Sequence, residues 1–537
     1  MTQYDIIIIG SGLGGLECAA VLSKEGYNVC VLEKNERYGG CFQTYQRQGH
    51  LLDTGIHYVG SMEQGQVLNQ YFRYLGIIDR LNVRRMDSTF DHIHCQNKAY
   101  PYAMGHEQFV EQLAEHFPRE RENLVRYVGK LREVGELISI DHLKRGVLAV
   151  EGMKHFGTSA AALIDEITPD SNLRRVLAGS ALLYGGVREA STFYAHAMIN
   201  HSYIEGAYRF VDGSMQVSLA LIEQIRAHGG TVRNLSEVTR IVASDTKAEA
   251  VIVNGCERLE ARYIISNVHP QCTFDLVDKS RCIKNAFLSR IRSLENTYGI
   301  FTLYLVMKPK SYPYRNYNSY LHADNDVWYR RDEYRGRVTN CMISMQATSQ
   351  PASSDYAARM AGATGSAQTP TGSVQTPIGS AQMRTGSAAG APPGEWADVI
   401  TILSPMYMDE LTPWLDTTPG QRGEAYRRFK AERAEQLLAF AAAHGIDLRE
   451  HVASMYTTTP LSYRDYTATT DGSAYGVVKN HHFPQIGFIS TRTKLGNLLL
   501  TGQNLNVHGA LGVSLTAMLT CSEFLGQEYL AKKIAHA

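Results

Sequence analysis

The residues with the clearest chemical spacing stand at the start of the chain: Gly10-Ser11-Gly12-Leu13-Gly14-Gly15, then Glu33 at the end of the next apolar run. Gly10 permits a tight turn, Gly12 lets the main chain approach a pyrophosphate, and Gly15 lets a helix pack closely on a strand. N–H groups at the start of that helix would hold the phosphates, and a carboxylate about twenty residues on would bind a ribose hydroxyl. The elements this requires can be read from the pattern. Residues 5–9 read as a buried parallel strand and 28–33 as a second one. Residues 12–25 read as a helix with an apolar stripe of Leu13, Leu16, Ala19, Ala20 and Leu22, ended by Gly26. Together they form a βαβ unit built to bind a dinucleotide.

Beyond Glu33 the chain runs Lys34-Asn35-Glu36-Arg37-Tyr38-Gly39-Gly40. The second glycine pair resembles that of FAD-binding oxidoreductases of the glutathione-reductase type. That resemblance implies FAD as the bound cofactor, with Glu33, Lys34, Gly39 and Gly40 against it. Many such proteins continue with Arg; here the residue is Cys41, and Thr44 is retained to hydrogen-bond a cofactor phosphate. Asp53-Thr54-Gly55-Ile56-His57-Tyr58-Val59-Gly60 follows, a His-Tyr pair between glycines. Taken with Gly39-Gly40-Cys41, it resembles the retinol saturase branch of the carotenoid desaturase and isomerase superfamily.

The resemblance extends to Thr459-Pro460-Leu461, Tyr466, and Gly472-Ser473-Ala474-Tyr475-Gly476. It continues through Leu500-Thr501-Gly502-Gln503-Asn504 and His508-Gly509-Ala510-Leu511-Gly512. In the middle, Gly213-Ser214, Gly229-Gly230 and Val238 resemble the second FAD-domain segment, and Ile264-Ile265-Ser266-Asn267 resembles the strand that returns to that domain. The implied fold is α/β: a discontinuous Rossmann-like FAD-binding domain of the glutathione-reductase type with an inserted α+β substrate domain. The FAD domain would comprise residues 1–70, 205–285 and 480–537, and the substrate domain 71–204 and 286–479. The implied cofactor contacts also include Cys41, Gly55, Val238 along the adenine, and Gly502, Gln503, Gly509, Leu511 and Gly512. At the last of these a helix N-terminus would face the flavin ring, where its dipole favours negative charge.

The activity the resemblance implies is hydride exchange with a conjugated isoprenoid, most directly saturation of one double bond. The alternatives are desaturation, cis-trans isomerisation, and the role of a non-catalytic escort or dissociation-inhibitor protein. An extended polyene spreads developing charge, so the protein's task is alignment and a dry slot. His57, Tyr58 and Tyr475 are the candidate proton donors. No second GxGxxG follows a strand, so the electron donor is expected to be transient, either NAD(P)H or a redox protein.

The rest of the sequence narrows the setting. Of 537 residues 44% are hydrophobic, and 53 basic residues balance 53 acidic ones, which gives no nucleic-acid footprint. Nine cysteines include no CxxC pair, which fits a reducing compartment and no zinc knuckle. No HExxH or carboxylate cluster stands out, and His92 and His94 alternate on a strand; no metal is expected. No signal peptide and no run of about 18 apolar residues is present. The expected location is the cytoplasm. Peripheral contact with the inner face of a membrane would run through an amphipathic stretch near 143–165. Residues 105–150, 213–229 and 421–444 read as helices, and 231–233, 238–242, 300–308 and 398–404 as strands. Residues 347–394 are Ala/Gly/Ser/Thr/Pro/Gln-rich and read as a disordered surface insertion between two strands.

Overall fold

A computed structural model of the chain describes residues 3–145, 154–323, 327–330, 335–349 and 395–537. Two seven-stranded sheets organise it. In the first, Tyr4–Ile9 lies at the centre. It runs parallel to Val29–Leu32 on one side and to the end of Glu257–Ser266 on the other. Thr231–Arg233 extends the sheet beyond Val29–Leu32, and Leu498–Leu500 pairs with residues 264–266. Val238–Ala243 and Ala248–Val253 complete it as an antiparallel pair. The central strand is apolar at every inner position because both of its faces are covered. Ile6 and Ile8 enter one core, Ile7 and Ile9 another. The fold is the expected α/β type.

The second sheet orders Val452–Thr458, Gly299–Met307, Val399–Met406, Asn340–Met345, Asn318–His322, Thr89–Cys95 and Lys98–Ala103. All its pairings are antiparallel except that between Asn318–His322 and Thr89–Cys95. Strand alternation gives its two faces different work. Phe301, Leu303, Ile343 and Ile402 pack with Leu437, Leu438 and Ala441 of the helix Gly423–Ala443. Ile300, Met342 and Leu403 point the other way, into a cavity. Opposite them stands the helix Phe193–Glu205, buried on all sides, whose Met198, Ile199, Ser202 and Tyr203 supply another wall.

The strands and helices expected at 5–9, 12–25, 213–229, 231–233, 238–242 and 421–444 are present within two residues of those bounds. The long helix expected over 105–150 is broken. His106–His116 and Arg121–Leu137 are separated by a 3₁₀ turn at Pro118–Glu120. Pro118 has no N–H to donate and holds Phe117 out of helical geometry at φ −130°, ψ 63°. The chain is helical again over Ile140–Arg145; of the amphipathic stretch near 143–165, residues 146–153 lie outside the described residues, and Ala160–Ile167 is again a helix. So does most of the low-complexity stretch, 350–394. Among the described residues no helix is long and apolar enough to cross a membrane, and no group of His, Cys, Asp or Glu is placed to hold a metal ion.

Candidate functional site

The phosphate-binding end is built from glycine backbone. Gly10 takes φ +91°, open to glycine at little cost. Gly12 caps the helix Leu13–Lys24, which has neither a capping side chain nor an acidic residue in its first turn. Its first N–H groups, with no intrahelical partners, therefore face outward without a counter-charge. A Cβ on Gly15 would stand 2.2 Å from the Gly10 carbonyl oxygen, so the helix can start here only with glycine. Gly39 bridges to Gly12, and a Cβ on Gly40 would meet the Gly12 Cα at 3.3 Å.

Glu33 is buried at the end of its strand. Its carboxylate accepts from the Ser11 N–H (3.0 Å) and hydroxyl (2.6 Å) and from the Asn35 N–H and side-chain amide (both 2.9 Å). It ties the strand end to the glycine loop. The sequence reading gave Asn267 no role. Its amide would lie within 3.2 Å of a Cβ on Gly12, Gly14, Gly15 or Gly502, so it wedges the glycine loop against the Gly502 turn. Only its place after an apolar strand hinted at this.

Two residues expected at the cofactor are engaged within the protein. The Thr44 hydroxyl donates to Asp53 (2.6 Å) and accepts from the Met215 N–H (3.1 Å). It joins Thr44–Arg47 to the helix Met215–Ala227 and is not placed as a phosphate ligand. The Lys34 ammonium donates to the Asp465 carbonyl (3.0 Å) and ties its strand end to the second half of the chain. Val238 opens its strand inside the core that holds Ile9 and Leu32, and the nearby Ser236 N–H donates to the Glu33 carbonyl (2.8 Å).

Most of the other expected residues, though not Gly502 or Gly512, meet at one cavity of about 1030 Å³ of atom-free space, open in part to solvent. Cys41, Gly55, Gln503, Gly509 and Leu511 line it, and so do His57, Tyr58 and Tyr475. The helix Gly509–Leu525 begins at its wall, again with no capping side chain and no acid in the first turn. Gly512 lets that first turn pack, since a Cβ there would lie 2.4 Å from the Val507 carbonyl oxygen. The Gly502–Leu505 turn is held from behind by Lys479. Its buried ammonium donates to the carbonyls of Gly487 (2.7 Å), Asn504 (2.8 Å) and Leu505 (3.3 Å). Burial lowers the Lys479 pKa to about 7.

No described wall residue is Asp, Glu, Lys or Arg. Burial, together with Arg209, pushes His57 down to about 4, and its Nε2 has no partner. Burial likewise pushes His508 down to about 4, and its Nε2 contacts the Leu183 carbonyl at 3.0 Å. Both rings are neutral at pH 7. The Tyr475 ring lies 4.7 Å from His508, centroid to centroid, and Tyr58 stacks on Tyr203 at 4.1 Å. The Tyr58 hydroxyl donates to Asp91 (3.0 Å) and shares a hydrogen bond with the Tyr320 hydroxyl (2.5 Å). Sequence reasoning missed Asp91, Tyr320, Asn318 and Arg209, because strands far apart in the chain bring them together.

FAD fits these residues. Its diphosphate matches the uncapped helix start at Gly12 and the crowded glycine backbones around it. Its flavin ring matches the second uncapped helix start, at Gly509–Leu511 on the cavity wall. Residues 13–340, more than half of the chain, match the family model described as flavin containing amine oxidoreductase. The chain belongs to this family. It is 24% identical to the all-trans-retinol 13,14-reductase of Danio rerio over 97% of its own length and 86% of the relative's. It is 25% identical to the chloroplastic prolycopene isomerase 1 of an Oncidium hybrid cultivar, over 51% of this chain and 49% of that one. Among solved structures, putrescine oxidase bound to putrescine shares the fold at a TM-score of 0.58, with 13% identity over 97% of this chain and 98% of that one. The chain is thus an FAD-dependent oxidoreductase, similar along its length to the all-trans-retinol 13,14-reductases and over half of it to prolycopene isomerases.

Proposed function

We propose that the protein saturates one carbon–carbon double bond of a neutral conjugated isoprenoid, a retinol-like polyene, as the name of its full-length relatives describes for all-trans-retinol. The observation that carries this reading is the uncharged wall. A substrate amine or carboxylate would be desolvated there without a partner, at a cost of several kcal/mol. A neutral polyene loses nothing and gains the apolar burial. When bound and reduced, FAD supplies a hydride. The chain's own residues then have three tasks. Ile300, Met342, Leu403, Met198 and Ile199 hold the polyene flat between the second sheet and the helix Phe193–Glu205, excluding water. The helix start at Gly509–Leu511 presents N–H donors to the wall. Tyr58, with His57 and Tyr475 beside it, holds a proton at the cavity edge. The electron donor belongs to the same reading: a transient partner, NAD(P)H or a redox protein.

Desaturation and isomerisation use the same cavity, and the half-reaction separates them. Reduced holoenzyme is incubated without oxygen with retinol, carotenes and polyunsaturated lipids, and flavin reoxidation and product mass are followed. Saturation adds two hydrogens with reoxidation. Loss of two hydrogens by oxidised enzyme marks desaturation, and unchanged mass with a shifted spectrum marks isomerisation. Failure to turn over any polyene contradicts the substrate class.

A further inference from the structure

We propose that Asp91 is the proton store of this cavity, a positioning residue that acts through the Tyr58 hydroxyl and does not itself touch substrate. This rests on the saturase reading above and adds to it the source of the second hydrogen.

Asp91 lies in the middle of Thr89–Cys95, within the second sheet, and is 1% exposed. One carboxyl oxygen accepts from the Asn318 amide (2.8 Å) on the neighbouring parallel strand, and the other accepts from the Tyr58 hydroxyl (3.0 Å). Among the described residues no cation pairs with it. Arg209 stops one side chain short: its guanidinium donates to the Asn318 Oδ1 (2.9 Å) and the Ser344 hydroxyl (2.7 Å). The titratable groups around Asp91 are therefore Tyr58 across the wall, Tyr203 on the helix Phe193–Glu205, Tyr320 and Tyr102 on the flanking strands, and Arg209 behind Asn318. On its own strand His92 points away, with its ring 4.4 Å from that of Tyr317. Burial pushes the carboxyl up to about 8, against the pull of Asn318, Tyr58 and Arg209. The shift favours the protonated carboxyl near neutral pH, and in that form Asp91 donates the hydrogen bond it shares with Tyr58.

The three cavity candidates differ in how they could be resupplied. His57 is neutral and holds no imidazolium proton. Tyr475 has no hydrogen-bonded acid behind its ring. Tyr58 is held well above the ordinary phenol range by burial and by Asp91, so a phenolate there would take a proton at once from a nearby acid of lower pKa. Asp91 is that acid. Addition of a hydride places a hydrogen and its electron pair on one alkene carbon, and the electrons of the double bond move to its neighbour. That carbon takes the Tyr58 proton, and the O–H electrons stay on the phenol oxygen. The Asp91 O–H then breaks to restore Tyr58. The carboxylate that remains keeps the Asn318 hydrogen bond with Arg209 beyond it, and water reprotonates it between turnovers.

The test uses holoenzyme carrying Asp91→Asn or Tyr58→Phe, reduced and mixed anaerobically with retinol between about pH 6 and pH 10. Wild-type reoxidation should fall about tenfold per pH unit above about 8. Both variants should be slower by about a hundredfold or more, with that limb gone and FAD content unchanged. Wild-type rate and an unchanged limb in Asp91→Asn overturn the proposal. Where Asp91→Asn fails to bind FAD, the pH profile of Tyr58→Phe decides: loss of the limb above about 8, well below the Tyr58 phenol's own range, supports the proposal, and an unchanged limb or an unchanged rate overturns it. A second readout is independent of turnover. The infrared difference between wild type and Asp91→Asn should show a protonated buried carboxyl band that disappears across pH 8, the Glu17 band being common to both and cancelling; absence of that difference band overturns the proposal. If no polyene reoxidises the wild type, the saturase reading fails by itself, and the band alone decides whether Asp91 stores a proton.

Discussion

At the scale of single residues, the backbone does the binding and the side chains tune it. Gly15 shows the first part. Its Cβ would collide with the Gly10 carbonyl oxygen at 2.2 Å, a backbone atom that cannot swing aside. Gly15→Ala should therefore purify with little or no FAD, measured as flavin released on denaturation; full occupancy would contradict the role given to the glycine loop. Glu33 shows the second part, because it serves Ser11 and Asn35 as well as any ribose hydroxyl. Residue-level legibility was uneven for a physical reason. Gly10 to Glu33 act over local spacing, which the sequence displays. Thr44 was read as a phosphate ligand, but its hydroxyl is taken up by Asp53 and by Met215, a partner 171 positions away. Asp91 directly precedes the alternating pair His92 and His94, which drew attention to themselves, and its meaning comes from Tyr58 and Asn318 on other elements.

At the scale of elements, two helices aim their N-termini at the cofactor site and pack against each other through a buried acid. Glu17, in Leu13–Lys24, is fully buried and accepts from the Ser514 hydroxyl (2.6 Å) in Gly509–Leu525. Burial raises its pKa from 4.5 to about 8, so the native state holds a proton that the unfolded chain releases near pH 4.5. The stability from that protonated form is full below the unfolded pKa and is lost as pH rises through about 8. At about 1.4 kcal/mol per pKa unit, the loss by pH 9 amounts to a few kcal/mol. Glu17→Gln should flatten the stability–pH curve between about pH 5 and pH 9, read by denaturant unfolding of holoenzyme. An equally steep curve in the variant would show that Glu17 is not the group responsible. The helices and strands themselves were largely legible, since their apolar periods are strong. The break at Pro118 was readable too, but the amphipathic pattern on both sides of it masked the proline.

At the scale of the whole molecule, the two sheets divide the work. The first takes its strands from residues 4–32, 231–266 and 498–500 and carries the glycine loop at the C-terminal end of its central strand. The second takes residues 89–103, 299–322, 340–345 and 399–458, and one of its faces forms a wall of the cavity. The fold class was legible because glycine signatures mark each return to the first sheet. The second sheet's order was not, since all-buried strands such as Gly299–Met307 carry no alternation to orient them. The low-complexity stretch falls between Asn340–Met345 and Val399–Met406, which pair directly as antiparallel neighbours. Replacing residues 350–394 with a short Gly/Ser linker should leave FAD binding intact and change stability by no more than about 1 kcal/mol, because loop-closure entropy varies slowly with length. Loss of flavin on this replacement would give the stretch a role at the site. The central claim is that this uncharged cavity serves reduction of a polyene. Its most direct test is one anaerobic turnover of reduced holoenzyme with all-trans-retinol, read by product mass alongside the flavin spectrum. The account predicts a product heavier by two hydrogens as the flavin reoxidises; unchanged retinol beside flavin that stays reduced would contradict it.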